Sequence, residues 1–376
     1  MIAPSAGPAD GATAGSTIAE PLSPLGAQFS NPAGLAGFTD RAMGGGLGFA
    51  YGRGEVTADS PAGYHAENEV LVPFLNSFLV VPWGRWTFGI ATMGTSGARF
   101  DYGARPALGV DDGFFSESGM LGLPIGAAYR VSDALWIGGQ IIPLYGTTHL
   151  RYSREVSEFP GAPTPFRFTV SGLGVQGMVG MTWRHKEAWS VGFSVKPPGR
   201  VWTEGDTRLG TGKQDVNLEI EVPTEVALGV TRALGRDWKA SYGVRFVDTS
   251  VLARSYLRFE DTPSANMPFL SGARDEWRHA IGVQYRWSDS LMLMSGVAKA
   301  NGIVSNKGVS PSSYDSKDWR LNTGLRWKGE AWMLDAAFGY VFKGSRRVSA
   351  EDARVFPGKF ESKPAYLLSF VITKNF

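Results

Sequence analysis

Residues able to make or break bonds are scarce in this chain. It has no cysteine, so thiolate nucleophiles, thiolate metal sites and disulfides are all excluded. The four histidines, His65, His149, His185 and His279, fall at no metal-ligand spacing. His149 beside Thr147 and Thr148 is the nearest pairing of a base with a hydroxyl, and no accompanying motif supports a hydrolase. What remains is non-covalent chemistry. Arg245, Arg278, Arg286, Arg320 and Arg326 each alternate with apolar residues and so share the polar faces of their segments. Guanidinium groups placed there either clamp a ligand carboxylate with paired donors or pair with carboxylates such as Asp318 and Asp335. The residues call for no cofactor and no metal.

The elements that must position these arginines are strands. From about residue 46 to the end, the hydrophobic period is close to two. Trp319, Leu321, Thr323, Leu325 and Trp327 alternate with Asp318, Arg320, Asn322, Gly324 and Arg326. The same pattern recurs with Trp332 to Phe342, Trp238 to Phe246, Trp277 to Trp287 and Trp189 to Val195. Aromatic residues close the ends of several apolar faces, as Trp319 with Trp327 and Trp277 with Trp287. Amphipathic rings favour the two interfaces of a lipid-facing band, and strands in lipid must pair into a closed barrel. A soluble sandwich also alternates, but it uses fewer strands.

The alternation predicts an all-β, transmembrane antiparallel β-barrel of about fourteen strands: near 46–56, 74–82, 85–97, 119–131, 134–152, 166–184, 187–208, 216–233, 237–259, 275–287, 290–304, 317–328, 330–349 and 360–376. Short turns such as Arg236-Asp237 and Ser288-Asp289 alternate with longer connections at 153–165, 260–274 and 305–316. The short turns are expected on the periplasmic side of a bacterial outer membrane and the longer loops outside. No apolar run approaches the ~20 residues of a membrane helix.

Composition agrees. Glycine supplies 49 of 376 residues, aromatics 12% and charged residues only 19%. The 37 basic and 35 acidic residues are interspersed, which gives no field for nucleic acid. The N-terminus shows neither the basic nor the apolar region of a secretory signal, which a processed or truncated start would explain. Residues 1–45 differ in kind from the rest, being rich in Gly, Ala, Ser and Pro without a period. The expected division is therefore a segment 1–45 and a barrel 46–376.

Within that segment stands Phe29-Ser30-Asn31-Pro32-Ala33-Gly34, after Gly11-Ala12-Thr13-Ala14-Gly15 and Ile18-Ala19-Glu20. The run resembles the Asn-Pro-Ala hatch motif of the FadL family, outer-membrane transporters of long-chain fatty acids and other hydrophobic compounds. Two further stretches are similar to family elements. Glu221-Val222-Pro223-Thr224-Glu225 enters the eighth strand, and Phe88 to Gly97 occupies the third. The terminal strand, with Tyr366, Leu368, Phe370, Ile372 and then Phe376, resembles the sorting signal read by the barrel assembly machinery.

The resemblance implies an N-terminal hatch (plug) inside the lumen, with Asn31, Pro32, Ala33 and Gly34 as the gating residues. It also implies an inward kink in the third strand that opens the wall, at which Gly94 and Gly97 would permit a break. The expected function is passive uptake of a hydrophobic small molecule, a long-chain fatty acid first, handed from an internal pocket into outer-membrane lipid. Phe29, Leu35, Phe38, Met292 and Met294 are candidate apolar linings, although core packing accounts for each. Connections 153–165 and 209–214 are shorter than in well-known members, which counts against an outer capture groove and leaves small aromatic hydrocarbons as an alternative cargo. A general diffusion porin, the other alternative, would need an open lumen.

Overall fold

The computed structural model describes residues 7–59, 65–102, 115–152, 166–185, 188–209, 212–261, 263, 266–268, 272–310, 318–352 and 357–376. Connection 153–165, and with it the expectation of a missing capture groove, lies outside the described residues.

The strand segments form one closed antiparallel barrel of fourteen wall strands. In chain order these are β1 (Ala42–Ala58), β2 (His65–Trp83), β3 (Trp86–Asp101), β4 (Phe115–Gly122 and Ile125–Arg130), β5 (Leu135–Tyr152), β6 (Phe166–His185) and β7 (Trp189–Lys196 and Gly199–Leu209). They continue as β8 (Gly212–Val222 and Glu225–Leu234), β9 (Trp238–Val247 and Tyr256–Phe259), β10 (Met267–Pro268 and Glu276–Arg286) and β11 (Leu291–Ala300). The last are β12 (Asp318–Lys328), β13 (Trp332–Phe342 and Ser345–Val348) and β14 (Gly358–Ser362 and Ala365–Asn375). Closure comes from β14 on β1, with Ala42 opposite Asn375 and Tyr51 opposite Tyr366.

Each strand that the alternation predicts is present. Boundaries differ at the start of the first two, where β1 begins at Ala42 rather than 46 and β2 at His65 rather than 74. Both differences have a physical reason. The inward face at the start of β1 is Gly44, Gly46 and Gly48, which carries no hydrophobic signal, and the start of β2 is charged where it rises beyond the apolar band. There Glu69 takes Tyr51 Oη at 2.8 Å and Arg53 at 3.6 Å from β1. Outside the barrel, Leu71, Ile141, Leu173 and Ile281 stand 59–70% exposed, between aromatic ends such as Trp277 and Trp287. Only lipid makes such a surface favourable.

Ahead of β1 the chain is compactly folded. Helix α1 (Pro8–Ala12), helix α2 (Pro24–Ser30) and a 3-10 turn (Pro32–Gly37) are buried over most of their residues. Proline at the first turn of each costs no hydrogen bond, and Ser23 caps α2 by accepting from Gly26 N–H at 3.0 Å. Asn31 ends α2 and caps the 3-10 turn through Ala33 N–H at 3.2 Å.

Candidate functional site

The N-terminal segment follows the inner face of the wall, and the wall is shaped to receive it. Gly138, Gly180, Gly192, Gly229, Gly243, Gly282, Gly296 and Gly324, on β5 through β12, all face it. A Cβ added at any of them would stand 2.1–2.9 Å from an atom of residues 12–33. Real contacts of that kind begin beyond 3 Å, so only glycine admits the segment so close. Residues 12–19 run past β12, β11, β10, β9, β8 and β7 in turn, and Asn31 and Pro32 then reach β6 and β5.

Polar wall groups complete the fit. Asn322 Nδ2 donates to Gly11 O at 2.6 Å, Ser194 Oγ to Ser30 O at 2.6 Å, Gln140 Nε2 to Gln28 O at 2.6 Å, and Arg130 Nη2 to Ala36 O at 2.7 Å. Ser16 and Ser241 hydroxyls lie 2.7 Å apart. Asn31 is fully buried, and its Nδ2 lies 3.0 Å from Ile18 O, 3.2 Å from Met181 O and 3.0 Å from Thr182 Oγ1. This one side chain therefore ties two stretches of the segment to β6. Gly34 is packed in its own way, since an added Cβ would meet Pro21 at 2.6 Å.

Two carboxylates organise the segment itself. Asp10 accepts from Thr17 Oγ1 at 2.7 Å, Leu22 N–H at 2.8 Å and Ser23 Oγ at 2.7 Å. Burial nevertheless dominates and pushes its carboxyl up to about 6. Glu20 is buried too, but Lys239 at 2.8 Å, a hydrogen bond from Ser190 and Arg184 at 3.9 Å overcome that burial and hold it below the usual carboxylate range.

Above the segment the wall is incomplete. β1 and β2 pair without interruption from Ala42 opposite Val80 to Thr57 opposite His65. β2 and β3 pair only from Trp83 opposite Trp86 to Ser77 opposite Thr92. Beyond Thr92, β3 follows β4 instead, and its register slips between Gly94 and Ser96. The extra residue is Thr95, whose Oγ1 donates to Met120 O at 3.1 Å. Inward positions change parity across this bulge, from Met93 before it to Phe100 after it. Among the described residues, the strands next meet where Asp101 N–H donates to Asn68 Oδ1 at 2.7 Å. Pro73 lies on the free stretch of β2, where its missing N–H breaks no ladder bond.

A cavity of about 630 Å³ fills this opening. It is lined from the inner face by Ala50, Val72 and Phe74 and from the outer face by Leu47, Pro73 and Leu75, so it passes through the wall. Gly94 and Gly97 line it as well. Neither needs to be glycine for space or for backbone angle, because Gly94 has nothing within 4 Å of an added Cβ, Gly97 only Ser118 O at 3.7 Å, and neither has a positive φ. The register shift falls at the inserted Thr95, between Gly94 and Ser96.

The arginines divide into three groups. Arg245, Arg278 and Arg320 converge on a cavity of about 80 Å³ between the wall and the N-terminal segment. Each has a carboxylate partner: Glu225 at 2.6 Å, Glu276 at 2.5 Å and Asp318 at 3.0 Å. Arg326 is held away by two bonds to Asp335, 2.6 and 2.8 Å. Arg286 does not join them. It is exposed at the end of β10, against the short turn, where its backbone N–H bonds Asp237 O at 2.8 Å.

Lys343 escapes a reading of alternation because it follows the end of its strand segment, yet it lines the 630 Å³ cavity and pairs with Asp318 at 3.2 Å. Lys196 falls on the polar face of the Trp189 to Val195 alternation, whereas Glu225 escapes it because the proline break at Pro223 interrupts the period beside it; Gln176 Nε2 bonds the carbonyls of Pro197 and Pro223 at 3.0 Å. Met292 and Met294 pack on Ala9 and Ala12, and Leu35 is buried with Leu25 and Phe78, so these fill cores. His149 is exposed on the barrel's outer face, away from the lumen.

The family model described as outer membrane protein transport protein (OMPP1/FadL/TodX) matches residues 4–376. No curated protein matches by sequence. In structure the chain is similar to a Pseudomonas aeruginosa FadL homologue, with TM-score 0.82 and 16% identity over 100% of this chain and 99% of that one. It is similar to the P. putida toluene transporter TodX, with TM-score 0.77 and 16% identity over 98% of each chain. The Ralstonia pickettii toluene transporter TbuX gives TM-score 0.74 and 19% identity, again over 98% of each.

Proposed function

The chain belongs to the OMPP1/FadL/TodX family of outer-membrane transport proteins for hydrophobic compounds, and from that premise we propose that it takes up long-chain fatty acids through the opening between β2 and β3. The observation that carries the cargo is Lys343. A cavity whose lining is otherwise largely apolar has four cations on its wall, Arg53, Arg99, Lys343 and Lys363, and of these Lys343 leads through Asp318 to Arg320 and the cationic cavity beyond. The second space adds Arg245, Arg278 and Arg320, so seven cations line the two spaces, against Glu117 on the first and Asp10 on the second. An apolar chain with one anionic end satisfies both features.

An apolar molecule has no driving force to cross a water-filled channel, and one that moves from an apolar cavity sideways into lipid never meets bulk water. The N-terminal segment acts in this reading as a plug that blocks direct passage along the lumen, with Asn31, Pro32, Ala33 and Gly34 as its hinge to the wall. Its close fit speaks against a general diffusion porin. Phe376 would serve the assembly machinery: it is 63% exposed, and its N–H bonds Arg41 O at 2.9 Å where the last strand closes on the first.

The test is binding of palmitate, hexadecanol and toluene to purified protein, beside Lys343→Gln. Loss of one charge-assisted hydrogen bond, about 1.5–3 kcal/mol, lowers palmitate affinity at least tenfold and leaves the neutral ligands unchanged. Toluene binding without palmitate binding would replace the fatty acid by an aromatic hydrocarbon on the same path.

A further inference from the structure

One side chain of the N-terminal segment touches the cations directly. Phe29, in the last turn of α2 and two residues before Asn31, has Lys196 Nζ 4.8 Å from its ring centroid and Arg245 Cζ at 5.3 Å. Both cations are buried, with 13% and 9% of their side chains exposed. Glu225 holds them together, at 3.5 Å from Lys196 Nζ and 2.6 Å from Arg245 Nη1. Phe29 also lines the small cavity that contains Arg278 and Arg320. Buried cations on a ring face are worth more than exposed ones, because water no longer competes for them.

We propose that Phe29, Lys196, Arg245 and Glu225 form a charge-reading latch on the plug. With no ligand, the two cations hold the ring and so fix α2 and the Asn31 turn to β7, β8 and β9. An anionic headgroup in the adjoining cavity draws Arg245 away from the ring and frees residues 24–36, while residues 12–16 stay seated on the wall glycines. The glutamate that ends Glu221-Val222-Pro223-Thr224-Glu225 thereby acquires a role, as the group that positions both cations. A neutral hydrocarbon of the same length leaves the latch shut. The ligand arm of this proposal rests on the carboxylate reading above; the ligand-free arm does not.

Hydrogen exchange of the detergent-purified full chain tests both arms. Without ligand, Phe29→Leu keeps the apolar bulk but loses the ring, and exchange over residues 24–36 rises at least tenfold, since one desolvated cation–π contact alone accounts for more than that factor. Phe29→Tyr keeps the ring and stays near the wild type. Lys196→Met, which removes a cation and leaves the ring, accelerates the same residues, and exchange over 12–16 moves in none of these variants. With ligand, laurate accelerates residues 24–36 of the wild type, dodecanol does not, and Phe29→Leu no longer responds. Equal exchange in Phe29→Leu and wild type would overturn the latch, as would Phe29→Tyr exchanging as fast as Phe29→Leu. So would laurate that binds by calorimetry and leaves exchange unchanged. Failure of laurate to bind at all would sink the carboxylate reading, and the ligand-free comparison would still decide whether the latch exists.

Discussion

Adjacent glycines on β5 provide a controlled perturbation of the plug. Gly138 faces inward, and a Cβ built there lies 2.6 Å from Ala33 N and from Pro32 C, and 2.7 Å from Pro32 O. All three are backbone atoms, so no side chain can rotate aside; the Asn-Pro-Ala turn itself must retreat by roughly an ångström to reach ordinary contact. Gly139 faces outward, and its added Cβ would meet nothing closer than Met178 O at 3.7 Å. Both positions have ordinary negative φ, so alanine strains neither backbone. Overpacking of this kind costs about 1–3 kcal/mol, which at about 1.4 kcal/mol per factor of ten raises the displaced population of the turn by roughly 5- to 150-fold. Gly138→Ala should therefore exchange amide hydrogens over residues 31–36 at least fivefold faster than wild type and show frequent openings in planar bilayers. Gly139→Ala should match the wild type in both assays. Identical behaviour of the two variants would refute the claim that the inner wall is shaped around the plug.

Two further perturbations probe the plug from within. Asn31→Ala removes the amide that bridges Ile18 O, Met181 O and Thr182 Oγ1; leaving buried groups unpaired costs about 1–3 kcal/mol, read as faster exchange at both 17–20 and 31–36 with the barrel's own protection unchanged. Asp10 sets a pH dependence. Its folded pKa of about 6 lies above its ordinary 3.8, so its contribution is complete below pH 3.8 and lost as pH rises through 6, about 3 kcal/mol in total at 1.36 per unit. Intrinsic-rate-corrected exchange over residues 8–23 should rise between pH 4 and 7.5 in the wild type and stay flat in Asp10→Asn.

Much of the barrel was legible because lipid imposes a period of two on every spanning strand. The faces read from Trp319 to Trp327 and from Trp332 to Phe342 are the faces the structure exposes. The start of β2 was illegible because its charged residues lie where lipid no longer selects apolar side chains. Within the candidate site, the Asn-Pro-Ala turn could be located by resemblance, whereas the glycines that receive it could not. Gly192, Gly243, Gly282 and Gly324 look like unremarkable members of polar faces until the register between strands places them on one path, and register is a property of pairs rather than of any strand alone. Lys343 was hidden for a similar reason, since it enters the site only where β13 meets the ion pair of β12. Arg286 shows the converse: its parity is right, but it stands at the strand's end, beyond the enclosed lumen.

In the proposed route, delivery through the wall depends on Thr95. Deleting it removes the register slip between Gly94 and Ser96 and keeps Met93, Ala98 and Phe100 on their present faces, so β3 can continue along β2 and close the opening. The decisive measurement is uptake of labelled palmitate by cells carrying the wild type or the Thr95 deletion, with barrel amounts matched by heat-modifiable migration. Loss of uptake from a barrel assembled in wild-type amount is the predicted result. Undiminished uptake through a wall shown to be closed would contradict the account.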